Sequence, residues 1–152
     1  MSLFGKAIST ARSLLPARSV SAHCDVPCGI YDPHTAQLAA QTVLVMVQKV
    51  QALPVPGAGA SPSDVQAYSN TVGRMVTTKE EHAALCKREL LVLWGDYFKP
   101  VHLQLFPDLH TTFWNAAKLC SRNKQEVNLQ AAEELVATCN QIADMFVRSK
   151  AG

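Results

Sequence analysis

The sequence has no strongly apolar run longer than the five residues 43–47, far short of the roughly 18 that a membrane-crossing helix requires. A helical integral membrane protein is therefore excluded. It has no polybasic block, and its formal net charge is only +2, so the electrostatic footprint of a dedicated nucleic-acid binder is missing. No run of alternating β-branched residues is long enough to suggest a sheet. The five cysteines are too few, and odd in number, for a secreted framework of bridges, which turns attention to where each thiol stands. What is present is 152 residues, 48% of them hydrophobic, enough for one domain with a core of its own.

Carboxylates are absent from residues 1–22, where five serines accompany Lys6, Arg12 and Arg18, and the first acidic residue is Asp25. Leu3, Phe4, Ala7, Ile8, Ala11 and Leu15 recur at roughly helical spacing. The segment ends in the small residues Ser21 and Ala22. That combination is what a removable presequence looks like. The expected division is a cleavable presequence at 1–22 and a folded domain at 23–152. Without the leader's three cations, eleven Lys and Arg face twelve Asp and Glu.

The remainder reads as helical. Asp32 and Pro33 predict an N-cap and a first helical position, and Leu38, Val43, Val47 and Val50 carry an apolar stripe to about Leu53. Three prolines and two glycines in residues 54–62 predict a linker. Val65, Tyr68, Val72, Met75, Val76, Ala83, Cys86, Leu90 and Leu93 then predict a long second helix, eased near Thr77 and Thr78 and ended by Gly95. Its outer face is expected to be solvated through Lys79, Glu80, Lys87, Arg88 and Glu89. Residues 96–107 read as a packed connection. A third helix is predicted from Pro107 and Asp108 to the polar stretch 121–125, and a fourth to Arg148 through Leu129, Ala132, Val136, Cys139, Ala143 and Phe146. The fold class is all-α: an antiparallel up-and-down four-helix bundle, preceded by the N-terminal segment 23–33, which is expected to be a metal-binding hook on the grounds given below. Cys86, Cys120 and Cys139 fall on core-facing stripes, where a free cysteine behaves as a small hydrophobe.

Residues 23–33, His-Cys-Asp-Val-Pro-Cys-Gly-Ile-Tyr-Asp-Pro, are unlike their surroundings. They pack an imidazole, two thiols, two carboxylates and a phenol directly after the expected cleavage point. The Cys24/Cys28 pair is compatible with half a zinc site, although a second such pair is missing. It is also compatible with a local disulfide. Cleavage opens another reading: His23 gains a free α-amine, and Pro27 and Gly29 turn Cys28 back. The amine, the Cys24 amide and two thiolates could then surround an ion in a plane, and planar nitrogen and sulfur donation selects nickel(II) or copper(II) over zinc. A thiol oxidoreductase is disfavoured, since its cysteine pair usually stands two residues apart beside a βαβ pattern.

This stretch resembles the nickel hook of the nickel-containing superoxide dismutases. Two further blocks carry the likeness: Leu93, Trp94, Gly95, Asp96, Tyr97, Phe98, Lys99 and Pro100 are similar to the family's Leu-Trp-Ser-Asp-Tyr-Phe-Lys-Pro, and residues 106–110 to its Tyr-Pro-Glu-Leu-His. The resemblance implies nickel ligands His23 (amine and imidazole), Cys24 (amide and thiolate) and Cys28 (thiolate), one nickel ion per subunit. It implies disproportionation of superoxide to dioxygen and hydrogen peroxide as nickel cycles between its +2 and +3 states. Asp25, Tyr31 and Tyr97 correspond to residues around the hook that order water and guide the substrate, and Lys99 is the candidate cation for steering an anion. The family's Glu and Arg braces of the axial imidazole are replaced here by Ala39 and His82, which suggests His82 as a substitute partner.

The resemblance also implies a homohexamer and a processing protease that removes residues 1–22; no nucleic-acid or membrane partner is expected. Localisation is cytoplasmic, or in a plastid or mitochondrion if the leader is a transit peptide. The competing reading is a non-enzymatic helical interaction module whose His-Cys-x-x-x-Cys start holds zinc, copper or a disulfide.

Overall fold

The computed structural model describes residues 29–151, and its regular elements are all helical. Four α-helices account for most of it: α1 (His34–Ala52), α2 (Pro62–Val92), α3 (Leu109–Gln125) and α4 (Leu129–Lys150). Packing runs in a ring, with α1 on α2, α2 on α3, α3 on α4 and α4 back on α1. That ring is the arrangement expected of an up-and-down bundle with sequential neighbours. None of the helices described is long and apolar enough to cross a membrane.

The helix starts obey local chemistry. The Asp32 carboxylate accepts the His34 N–H at 2.7 Å, and the Pro33 carbonyl takes that of Gln37. Ser61 and Asp64 form a reciprocal capping box, in which Ser61 Oγ accepts the Asp64 N–H and Asp64 Oδ2 accepts the Ser61 N–H. Pro62 therefore opens α2 rather than closing the linker, because a first-turn proline gives up an N–H that had no partner anyway. Asn128 caps α4 through the Ala131 N–H at 3.0 Å.

The core comprises Ala36, Ala39, Ala40, Val43 and Val47 from α1, and Ala83, Cys86, Leu90 and Leu93 from α2 and its extension. From the other side come Phe113, Ala116, Cys120, Leu135, Cys139 and Ile142. Full burial of each large apolar side chain here is worth about 1.5–3 kcal/mol. Leu38 departs from expectation: it is 55% exposed, and small alanines fill the core-facing side of α1 in its place. Val65 is also exposed, and residues 62–78 of α2 contribute no fully buried side chain. The reason is length. At 1.5 Å per residue α2 extends about 46 Å and α3 about 26 Å, so much of α2 outruns the neighbour it packs on.

Three further features of α2 differ from the sequence expectation. It runs unbroken past Thr77 and Thr78. It does not stop at Gly95 but widens into a single π-helical turn, Leu93–Tyr97, closed by the Phe98 N–H donating to the Leu93 carbonyl at 3.0 Å. Lys79, expected on the solvated face, is 1% exposed. Its ammonium reaches the end of α3 and donates to the carbonyls of Asn123, Lys124 (3.1 Å) and Glu126 (3.0 Å). Carbonyls at a helix C-terminus have no partner within the helix, and a buried cation answers both that need and the helix dipole. Burial pushes the Lys79 ammonium below the usual lysine range, against a smaller pull from Glu80. Beside it Asn123, also buried, donates to the carbonyls of Leu119 and Ala131, joining α3 to α4.

Candidate active site

After the π-turn the chain makes a short 3-10 turn, Pro100–Gln104, before α3. Phe98 and Phe106 are buried on either side of it, so the packed connection expected here is present. A π-turn holds an extra residue per turn and re-aims the chain beyond it, and such turns recur at functional sites. In this chain it delivers Tyr97 to the end of the bundle, where its ring meets Tyr31 (centroids 5.5 Å apart), Phe98 (5.0 Å), His102 (5.8 Å) and Phe146 (4.5 Å). Tyr31 and Tyr97, 66 positions apart in sequence, thus come together. With Gly29, Asp96, Lys99 and His102 they line a cavity of about 490 Å³.

Gly29 has a φ of 70°. This is the left-handed region, which glycine enters without the Cβ penalty other residues meet. This conformation stands directly after Cys28 and two residues before Tyr31. His23, Cys24, Asp25 and Cys28 lie outside the described residues.

The protons around Tyr97 can be assigned by counting donors. Ser149 Oγ donates its one hydrogen to the Phe146 carbonyl at 2.7 Å, so in its 2.8 Å contact with Tyr97 it is the acceptor. The Tyr97 phenol consequently donates to Ser149 and offers the cavity its oxygen lone pairs. Tyr31 is half-buried and has other interactions of its own. Lys99 is exposed at the cavity's edge.

His102 and Ser149 were not legible as site residues. The signal for His102 was its place three residues after Lys99, since positions i and i+3 eclipse in a 3-10 turn. His82 sits on α2 with Nδ1 at 2.8 Å from the Thr78 carbonyl. It does not line this cavity, and the eleven residues to Leu93 place it about 16 Å back along the helix. Ala39 is buried in the core. His110 accepts the indole N–H of Trp94 at 2.9 Å, and Trp94 stacks on Phe113.

Elsewhere, a larger groove of about 850 Å³ between α2 and α3 is lined by Glu80, Lys87, Arg88, Ser121 and Lys124 among others. Its mixed charges carry none of the chemistry-bearing residues except Asp96 at its margin. Cys86, Cys120 and Cys139 meet in the core as free thiols, with Cys86 Sγ and Cys139 Sγ 3.5 Å apart. Hydrogen bonds with Cys120 and Cys139, reinforced by burial, hold the Cys86 thiol far above its usual range. The bond from Cys86 is also what lowers Cys120. Among the described residues no group of three or more His, Cys, Asp or Glu is arranged to hold a metal.

Comparison with known proteins points one way. The family model described as nickel-containing superoxide dismutase matches residues 18–150. The nickel superoxide dismutase of Streptomyces seoulensis is 34% identical over 140 residues, covering 92% of this chain and 97% of that protein. Its counterpart from Streptomyces coelicolor is 33% identical over the same shares. Among solved structures, native nickel superoxide dismutase superposes with a TM-score of 0.72 at 30% identity, covering 86% of this chain and all of the other. A structure with nickel ligation corresponding to the oxidised state gives 0.71 at 33% identity.

Proposed function

This chain belongs to the nickel-containing superoxide dismutases, and from that premise we propose that His23, Cys24 and Cys28 hold its nickel, beside the cavity of Tyr31 and Tyr97. The enzyme is an oxidoreductase that takes superoxide to dioxygen and hydrogen peroxide, with nickel as its cofactor. The donor set fits the metal: two thiolates with amine and amide nitrogens favour a planar nickel(II) site. The left-handed Gly29 fits it too, since a hook of this kind needs the chain to change direction next to Cys28. When bound, nickel supplies the one-electron couple that lets superoxide be oxidised in one half-reaction and reduced in the other.

The chain's own residues supply position and water control. The apposed Tyr31 and Tyr97 rings wall the cavity, and the Tyr97 oxygen, its proton committed to Ser149, has lone pairs left with which to accept a hydrogen bond from water. Asp25 helps to restrain the hook itself. The Lys99 ammonium at the rim attracts the anionic substrate, a role that local charge must fill because eleven cations against twelve anions leave residues 23–152 with no overall positive field.

Residues 1–22 form a presequence whose removal by a protease frees the His23 amine, and the mature chain, 23–152, assembles as a homohexamer. Localisation depends on how the presequence is used: removed in place it leaves a cytoplasmic enzyme, and read as a transit peptide it delivers one to a plastid or mitochondrion. The single observation that carries the reading is the Tyr31–Tyr97 pair, 5.5 Å apart and lining one cavity with Gly29. The test is to generate the chain beginning at His23, load nickel and monitor superoxide decay. Activity and a nickel(III) paramagnetic signal are expected; full activity in Cys24→Ser or Cys28→Ser overturns the ligand assignment.

A further inference from the structure

We propose that His102 is a substrate-binding residue, which donates a hydrogen bond from Nε2 to the superoxide anion in the cavity at Tyr31 and Tyr97. The proposal rests on the reading of this cavity as the entrance to the nickel centre. A backbone amide fixes the tautomer of the ring. The Lys99 N–H donates to His102 Nδ1 at 3.1 Å. A peptide nitrogen can only donate, so Nδ1 presents its lone pair and the ring's proton is on Nε2. In this hydrogen bond the ring is the Nε2–H tautomer, whose one N–H is left to donate.

Three further contacts fix the direction of that donor. The His102 N–H returns a 2.9 Å hydrogen bond to the Lys99 carbonyl, closing the turn from both sides. The ring lies nearly parallel to Tyr97, at 24° and 5.8 Å, and meets Phe98 edge-on, at 88° and 5.5 Å. His102 is half-buried and lines the cavity, and no described residue accepts from its Nε2.

Of the other polar groups in the cavity, Tyr31 has interactions of its own, and the rest leave this role open. Tyr97 spends its proton on Ser149. Lys99 is an exposed, flexible cation at the rim. Asp96 brings a negative charge, which opposes an anion and makes a fixed donor more valuable. A neutral donor suits a substrate that must enter and leave as a small anion, since it orients without neutralising.

Two amide substitutions separate the ring's two jobs. In His102→Asn the short side-chain oxygen can take the place of Nδ1 and keep the Lys99 N–H satisfied, while the donor at the Nε2 position is gone. In His102→Gln the amide nitrogen reaches the Nε2 position and keeps the donor. With processed, nickel-loaded protein, His102→Asn is expected to lower kcat/KM for superoxide by about tenfold or more, the scale of one hydrogen bond to a charged group, and His102→Gln to stay within about threefold of wild type. The nickel(III) signal should be the same in all three. Nitrogen NMR of the metal-free, histidine-labelled wild-type chain should show His102 protonated on Nε2 and bare on Nδ1. Unchanged kcat/KM in His102→Asn with an intact nickel signal overturns the proposal alone, as does a proton on Nδ1 in the NMR spectrum, which needs no variant to fold. A wild-type chain that neither loads nickel nor consumes superoxide overturns the reading of the site itself.

Discussion

The cavity at the end of the bundle and the thiol layer at its centre both gather groups capable of chemistry, and they meet opposite fates. At the end, a π-turn and a 3-10 turn bring a phenol, an ammonium and an imidazole up to Tyr31, around about 490 Å³ of space. In the centre, Cys86, Cys120 and Cys139 have only one another, at 0%, 0% and 1% exposure. The polar atoms of the first region have partners that leave one side open. Those of the second are closed on every side, so their thiols act as packing groups. Reactivity in this protein is therefore decided by irregular backbone that opens a space, more than by the type of residue.

The largest expected break in that comparison sets one thiol against another. Cys24→Ser or Cys28→Ser should abolish nickel uptake and superoxide decay while leaving thermal unfolding of the metal-free chain unchanged. Cys86→Ala should keep both nickel and activity and lose about 1 kcal/mol of stability, read as a shift of the denaturant midpoint. Loss of nickel in Cys86→Ala would erase the distinction between the two sets of thiols. Next in size is Lys79→Met, which strands the carbonyls at the end of α3. It should cost about 3 kcal/mol in denaturant unfolding, with activity per folded molecule unchanged.

Smaller effects sharpen the cavity itself. Tyr97→Phe removes the bond to Ser149 and should cost about 1 kcal/mol. Because the phenol's proton faces α4, kcat/KM should fall by only about threefold or less, a smaller change than in His102→Asn. Smallest is Lys99→Ala, whose deficit in kcat/KM should show at low ionic strength and vanish near 1 M salt, where the Debye length is about 3 Å. A deficit that persists at high salt would assign Lys99 a contact instead of a field.

Where the sequence was readable, the pattern was strong and local. Of the stripe expected on α4, Ala132, Cys139, Ala143 and Phe146 are buried at helical spacing, and Asp32 with Pro33 marked the start of α1. Where it misled, tertiary context overrode the pattern. Alanine carries too little hydrophobic signal to reveal that Ala36, Ala39 and Ala40 face the core of α1, and Leu38 drew the stripe away from them. Lys79 read as solvated because its three acceptors stand beyond its own helix, 44 to 47 residues later. Tyr31 and Tyr97 were singled out through family resemblance, and their ring contact is what the structure adds. His102 was not, since the tautomer that makes it a donor depends on a backbone amide whose position only the turn defines.

The π-turn at Leu93–Tyr97 also has an evolutionary reading. It holds one residue more than the α-helical path would need, so the aim of Tyr97 is encoded as a length and not as a residue type. Removing any single residue between Leu93 and Tyr97 would rotate everything beyond it by about 100°. Every neighbouring side chain would survive the deletion, and the cavity would not. Substitutions drift through such a segment far more easily than insertions or deletions do, so in this stretch of the chain a descendant would more readily change its spelling than its count.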